Sequence, residues 1–214
     1  MNTLADSPQP NANLLQLWIL ILLFALPSTT AWLFFYHPEW LPEGRTNHGT
    51  LISPPESLEA IPLSTPEGER FDWQDLQDQW TLTLVREGSC DSRCMENLIE
   101  MRQIRRATGA NRQRIERLLI LMPDAQGRLE FPQLNGVEGT RLAIAVTAQR
   151  QQLQQLFPSA LAEEHTPLFL IDPRVTLMMT HDTSEIPAKQ ILQDLEKLLK
   201  ASQSWVKGGQ YGHQ

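Results

Sequence analysis

The stretch WTLTLVREGSCDSRCMENL, residues 80–98, decides the fold. Residues 80–85 are a short run of β-branched and bulky apolar side chains, the composition of a strand. Gly88 and Ser89 then supply a turn. From Cys94 to about Thr108 the residues Leu98, Met101 and Ile104 return at helical spacing. A strand therefore runs directly into a helix, and the only two cysteines of the 214 residues, Cys90 and Cys94, stand at the junction.

That position has chemical consequences. A helix N-terminus presents unpaired N–H groups and a partial positive charge, both of which favour a thiolate. Asp91 or Ser92 is available to cap the first turn. Residues four apart share a helix face, with Cα atoms about 6 Å apart, inside the range a disulfide bridges. The same spacing lets both sulfurs grip one metal ion. Two thiolates suit Cu(I), whereas structural zinc wants four ligands and no second cysteine pair exists. A purely structural staple is the weaker reading, because short loops gain less from closure than long ones. The pair thus points to reversible disulfide chemistry, soft-metal binding, or both.

Downstream, residues 118–122 (LLILM) and 142–147 (LAIAVT) read as strands, and residues 148–157 as a Gln-rich helix. Residues 168–171 and 176–180 read as two strands around the turn DPRV. Residues 187–202 form an amphipathic helix, with Ile191, Leu192, Leu195, Leu198 and Leu199 on one face. Strands alternating with helices imply an α/β domain, a mixed sheet flanked by helices.

Upstream, residues 14–36 contain no Asp, Glu, Lys or Arg. A helix of that length spans the ~30 Å hydrocarbon core of a bilayer. Trp18, Trp32, Tyr36 and Trp40 lie near its ends, where aromatics favour the interface, and Pro27 is a kink that membrane helices tolerate. Small residues near Ala31 resemble a signal cleavage site, but no Lys or Arg precedes the apolar run and apolar residues resume at Trp32. An uncleaved anchor is expected. Flanking charges leave its orientation open. Pro54, Pro55, Pro62 and Pro66 then punctuate a Ser/Thr-rich stretch, read as a semi-extended tether. The expected organisation is an N-terminal tail over 1–13, an anchor over 14–36, a tether over 37–67, the α/β domain over 68–202 and a flexible tail over 203–214. A net charge of −7 argues against non-specific nucleic-acid binding. A run of arginines, Arg102, Arg105, Arg106, Arg112, Arg114 and Arg117, reads as a solvated face, or as a docking patch for acidic membrane lipid or an acidic partner surface.

Residues 163–179 read EEHTPLFLIDPRVTLMM. Together with the anchor and the C-x3-C at a helix start, they resemble the Sco/SenC family. These are membrane-anchored, thioredoxin-like proteins that help assemble the copper sites of cytochrome c oxidase. The resemblance implies a thioredoxin-like fold, with copper bound by Cys90, Cys94 and His165 as in a metallochaperone. It also implies an oxidase subunit carrying a copper site as partner, and a bacterial inner-membrane location with the domain in the periplasm. His181 is a rival to His165. The loop DSR stands where the family often has a proline, and DPRV lacks the glycine of the family turn. In thioredoxins and their relatives a cis-proline faces the active-site cysteines at the place of Pro167. That implies a second reading, a thiol–disulfide reductase in which Cys90 attacks a partner disulfide and Cys94 resolves the mixed species. In a third reading the protein is a non-catalytic assembly factor and the cysteines only stabilise it.

Overall fold

The computed structural model describes residues 12–37, 40, 47–157 and 167–202. The chain divides into a unit ending at Thr46 and a second unit beginning at Asn47. In the first, helix α1 (Ala12–Tyr36) contains Pro27. At about 1.5 Å per residue its 25 residues rise about 37 Å, more than the ~30 Å hydrocarbon core. Among the described residues it is the one helix long and apolar enough to cross a membrane, a single-pass anchor. Its threonine hydroxyls are satisfied internally: Thr29 donates to Ala25 O (2.9 Å) and Thr30 to Leu26 O (2.7 Å).

In the second unit the described residues form one six-stranded mixed sheet in the order β1-β6-β5-β2-β3-β4. The strands are β1 (Thr50–Ser57), β2 (Trp80–Glu87), β3 (Ile115–Met122), β4 (Arg141–Ile144), β5 (Pro167–Ile171) and β6 (Thr176–Asp182). Strands β2, β3 and β4 are parallel, with Trp80 opposite Ile115 and Leu118 opposite Arg141. Strand β5 runs antiparallel to β2, β6 antiparallel to β5, and β1 antiparallel to β6. Helices α2 (Ser92–Ala107) and α4 (Ala188–Ala201) share one face. There Leu98, Met101, Ile191 and Leu195 pack with Trp80, Leu82 and Leu84. The opposite face is covered by residues 58–76 and the short helix α3 (Arg150–Leu156). Phe157 meets Phe169 of β5 edge to face, 4.9 Å between ring centroids.

The tether is the main correction. Residues 50–57 form β1, which pairs with β6 from Thr50↔Thr180 to Ser57↔Thr176. The register slips between Leu51 and Glu56, where Pro54 and Pro55 lie. Prolines donate no ladder hydrogen bond, and an edge strand is where a sheet accommodates them. Leu58, Ile61 and Leu63 are buried core residues, and Trp73 Nε1 donates to Ile61 O (2.7 Å). The domain therefore begins near Asn47, not at residue 68.

Smaller differences have local causes. Strand β4 ends at Ile144, short of 147, because Val146 N–H donates to Gln149 Oε1 (3.1 Å) and Gln149 Nε2 donates to Pro62 O, which bends the chain away. Strand β3 starts at Ile115, three residues earlier than the apolar run suggested, and it buries Arg117. Half of the arginine run is spent on contacts within the fold. Arg105 Nε donates to Ile115 O (2.6 Å), and Arg117 Nη2 to Glu138 O (2.6 Å). Arg114 donates to Leu199 O (3.1 Å) and Ser202 Oγ (2.9 Å), so a cation caps the C-terminus of α4. That use replaces the lipid-docking reading for these three. The tail, 203–214, lies outside the described residues.

Candidate thiol site

Cys90 and Cys94 are joined by a disulfide, with Cα atoms 5.2 Å apart. The corner that carries them is built by the end of β2. Gly88 adopts φ +72°, a conformation suited to glycine, and a Cβ there would lie 3.3 Å from Cβ of Asp124. Its N–H donates to Met122 O (2.8 Å), and its carbonyl accepts from Glu130 N–H (2.8 Å). The turn is thus held between the end of β3 and the loop that follows it.

Asp91 is the N-cap of α2: its carboxylate accepts from Cys94 N–H (2.8 Å). Arg86 Nη2 donates to the other oxygen of Asp91 (3.0 Å), and Glu87 pairs with Arg150 of α3 (2.6 Å). The last two residues of β2 therefore brace the corner from both sides. Cys94 is fully buried, whereas Cys90 is half-buried. Cys94 backs onto the core, and Cys90 packs against the same cluster at its border.

His165 lies outside the described residues, and so does the Thr166–Pro167 bond whose cis geometry was expected. Pro167 itself opens β5. Because β5 is antiparallel to β2, with Thr83 opposite Phe169, it starts at the sheet end where β2 delivers the cysteines. His181 is not a free ligand. It is buried on β6, paired with Leu168, and its Nε2 is 3.2 Å from Asp194 Oδ2. The same oxygen accepts the N–H groups of His48 (2.7 Å) and Gly49 (2.9 Å). Burial pushes the His181 ring below its ordinary value, and the carboxylate of Asp194 only partly offsets this. Burial alone would raise the Asp194 carboxyl, but the Gly49 and His48 amides and the His181 ring outweigh it and hold it low. The neutral ring then donates from Nε2. Among the described residues no group of three His, Cys, Asp or Glu side chains converges as a metal-binding set.

The sequence reading named Asp91 as a possible cap but missed Arg86, Arg150 and the His181–Asp194 pair. Arg86 carried a weak signal, an arginine ending an otherwise buried strand. The His181 pair carried none, since its members lie thirteen residues apart and join the start of the domain to its last helix.

Residues 80–202 match the family described as "Transmembrane-like, thioredoxin-like, C-terminal domain". No curated protein sequence matches the chain. Among solved structures, the apo Sco1 protein from Thermus thermophilus is similar, at TM-score 0.54 and 13% identity, covering 73% of this chain and 99% of that one. Yeast Sco1 with copper bound is similar at TM-score 0.53 and 11% identity, covering 65% of this chain and 90% of that one. At these identities the likeness is one of fold.

Proposed function

Because the chain belongs to the transmembrane-like, thioredoxin-like C-terminal domain family, we propose that it is a membrane-anchored thiol protein of cytochrome c oxidase biogenesis that delivers copper through Cys90, Cys94 and His165. The observation that carries this reading is the placement of Cys90 and Cys94 within bonding distance at a strand-to-helix corner, Cys90 half-buried and Cys94 buried. In the reduced form the same corner offers two soft donors to one Cu(I) ion, and an imidazole completes a three-ligand set. The register that starts β5 at the cysteine end of the sheet supports His165, two residues before Pro167, as that third donor. Copper is cargo here: the dithiol takes it up with loss of protons, and the closed disulfide holds none. A bacterial inner membrane, with the domain on the periplasmic side, suits a pair that alternates between dithiol and disulfide.

A second reading is favoured by the closed disulfide itself. A thiol–disulfide reductase would use the same pair to reduce the copper-site cysteines of an oxidase subunit, with Cys90 attacking and Cys94 resolving.

The test is a Cu(I) titration of the full chain in detergent micelles after reduction. One tightly held equivalent is expected. It should be weakened by His165→Ala and lost in Cys90→Ser or on oxidation. A reduced wild type that holds no Cu(I), with a disulfide potential in the oxidoreductase range, would overturn delivery and leave the reductase.

A further inference from the structure

The first turn of α2 is closed at its N-cap. Asp91 has extended backbone there (φ −70°, ψ −175°), and its carboxylate accepts the amide of Cys94, the third residue of the helix. Met95, the fourth, donates its amide to Asp91 O (3.0 Å). Cys90 is the residue just before the cap. In a helix start of this kind the residue before the cap packs against the fourth helical residue as a hydrophobic staple. Here those two residues are Cys90 and Met95. Both are half-buried, and both border the core cluster that holds Cys94.

The helix start therefore gathers three sulfur side chains, the two cysteines, bonded to each other in the closed form, and one thioether. A staple asks only for an apolar side chain, and leucine would serve it. Methionine adds a polarizable donor that carries neither charge nor proton. Thiolates and thioethers are the ligands that select Cu(I). Zinc sites are built from thiolate, imidazole and carboxylate, without thioether. Among the other described methionines, Met101, Met122 and Met179 are sealed in the core, and Met178 sits on β6.

We propose that Met95 is a further ligand of this site, a thioether that joins Cys90 and Cys94 on Cu(I) and makes the site favour monovalent copper over zinc. The inference rests on the copper-delivery reading of the cysteine pair and deepens it by adding a donor and fixing the oxidation state of the cargo. The disulfide is first opened by an external dithiol. The S–S bond takes two electrons and two protons, and the dithiol becomes a disulfide in turn. Cu(I) then displaces the protons of the two thiols and keeps its oxidation state.

The experiment uses the full chain in detergent micelles, reduced, with Cu(I) supplied from a competing chelator and Zn(II) titrated separately. Met95→Leu keeps the volume and the apolar staple. It should weaken Cu(I) binding about tenfold, equivalent to about 1.4 kcal/mol, and leave Zn(II) binding as it was. In wild-type protein grown with selenomethionine, X-ray absorption at the copper edge should show selenium in the first shell of the metal. Met95→Leu should remove that neighbour. Bound Cu(I) with no selenium neighbour overturns the proposal, and so does a selenium neighbour that survives Met95→Leu. An equal loss of Cu(I) and Zn(II) binding in Met95→Leu also overturns it, by reducing Met95 to a packing residue. A reduced wild type that takes up no Cu(I) is a different result, which removes the delivery reading and this inference with it.

Discussion

His181 Nε2 stands 3.2 Å from Asp194 Oδ2, and both side chains are sealed from solvent. That oxygen also holds the amides of His48 and Gly49, so one carboxylate ties the first residues of the domain to β6 and α4.

The pair makes stability fall on acidification. Burial holds His181 below its ordinary value, so the folded state resists a proton that the unfolded chain accepts at about pH 6.5. Its contribution is complete above that pH and declines below it. Asp194 is also held low, so its contribution is complete above about pH 4 and is lost as pH falls through its lowered value. Both act in the same direction. The titratable groups facing the pair include His48 at the start of the domain and Lys197 on α4, 3.5 Å from Asp194. The melting temperature of the full chain should drop from about pH 7.5 to about pH 5, and His181→Asn should flatten the slope. Parallel slopes in the two proteins would contradict this account.

Gly49 has no room for a side chain. An added Cβ would lie 2.5 Å from His181 Nε2 and 2.8 Å from Met179 Sδ, both within the fold. Gly49→Ala should cost about 1–3 kcal/mol, the range for forced overpacking, measured by urea denaturation. Faster amide exchange at Thr50 and Leu51 would locate the damage in β1.

The arginines separate by what they touch. Arg114 caps the last turn of α4 with two hydrogen bonds, so Arg114→Ala should destabilise by about 1–3 kcal/mol. Arg106 is exposed, and Arg106→Ala should stay within about 0.5 kcal/mol. Equal effects in calorimetry would mean that the cap is not a stabilising contact.

Asp91 holds the first turn of α2 through the Cys94 amide. Asp91→Ala should cost about 1 kcal/mol as a lost N-cap and release Arg86, while Asp91→Asn, which can still cap, should recover most of the loss. Circular dichroism melts of the oxidised proteins distinguish the two.

Much of this fold is legible in the residues because its signals are local. The β-rich run of 80–85, the spacing of Leu98, Met101 and Ile104, and the apolar face of 187–202 each correspond to an observed element. Cysteines at a strand-to-helix junction are likewise a local pattern, and the structure keeps them there. What stayed hidden depends on distant partners. Strand β1 is masked by prolines that would break an inner strand and are tolerated at an edge. The arginines looked like a surface patch because their carbonyl partners, Ile115, Glu138 and Leu199, come from other segments. His181 looked available because Asp194, Gly49 and His48 converge on it only after folding.

The arm from Thr50 to Leu76 supplies an edge strand and then the plugs of one face of the core. A protease cutting within that arm would therefore not shed an intact soluble domain. It would leave a sheet stripped of its border and a core opened at Leu58, Ile61 and Leu63. Detachment from the bilayer without loss of the fold has to occur before Asn47, where the second unit begins.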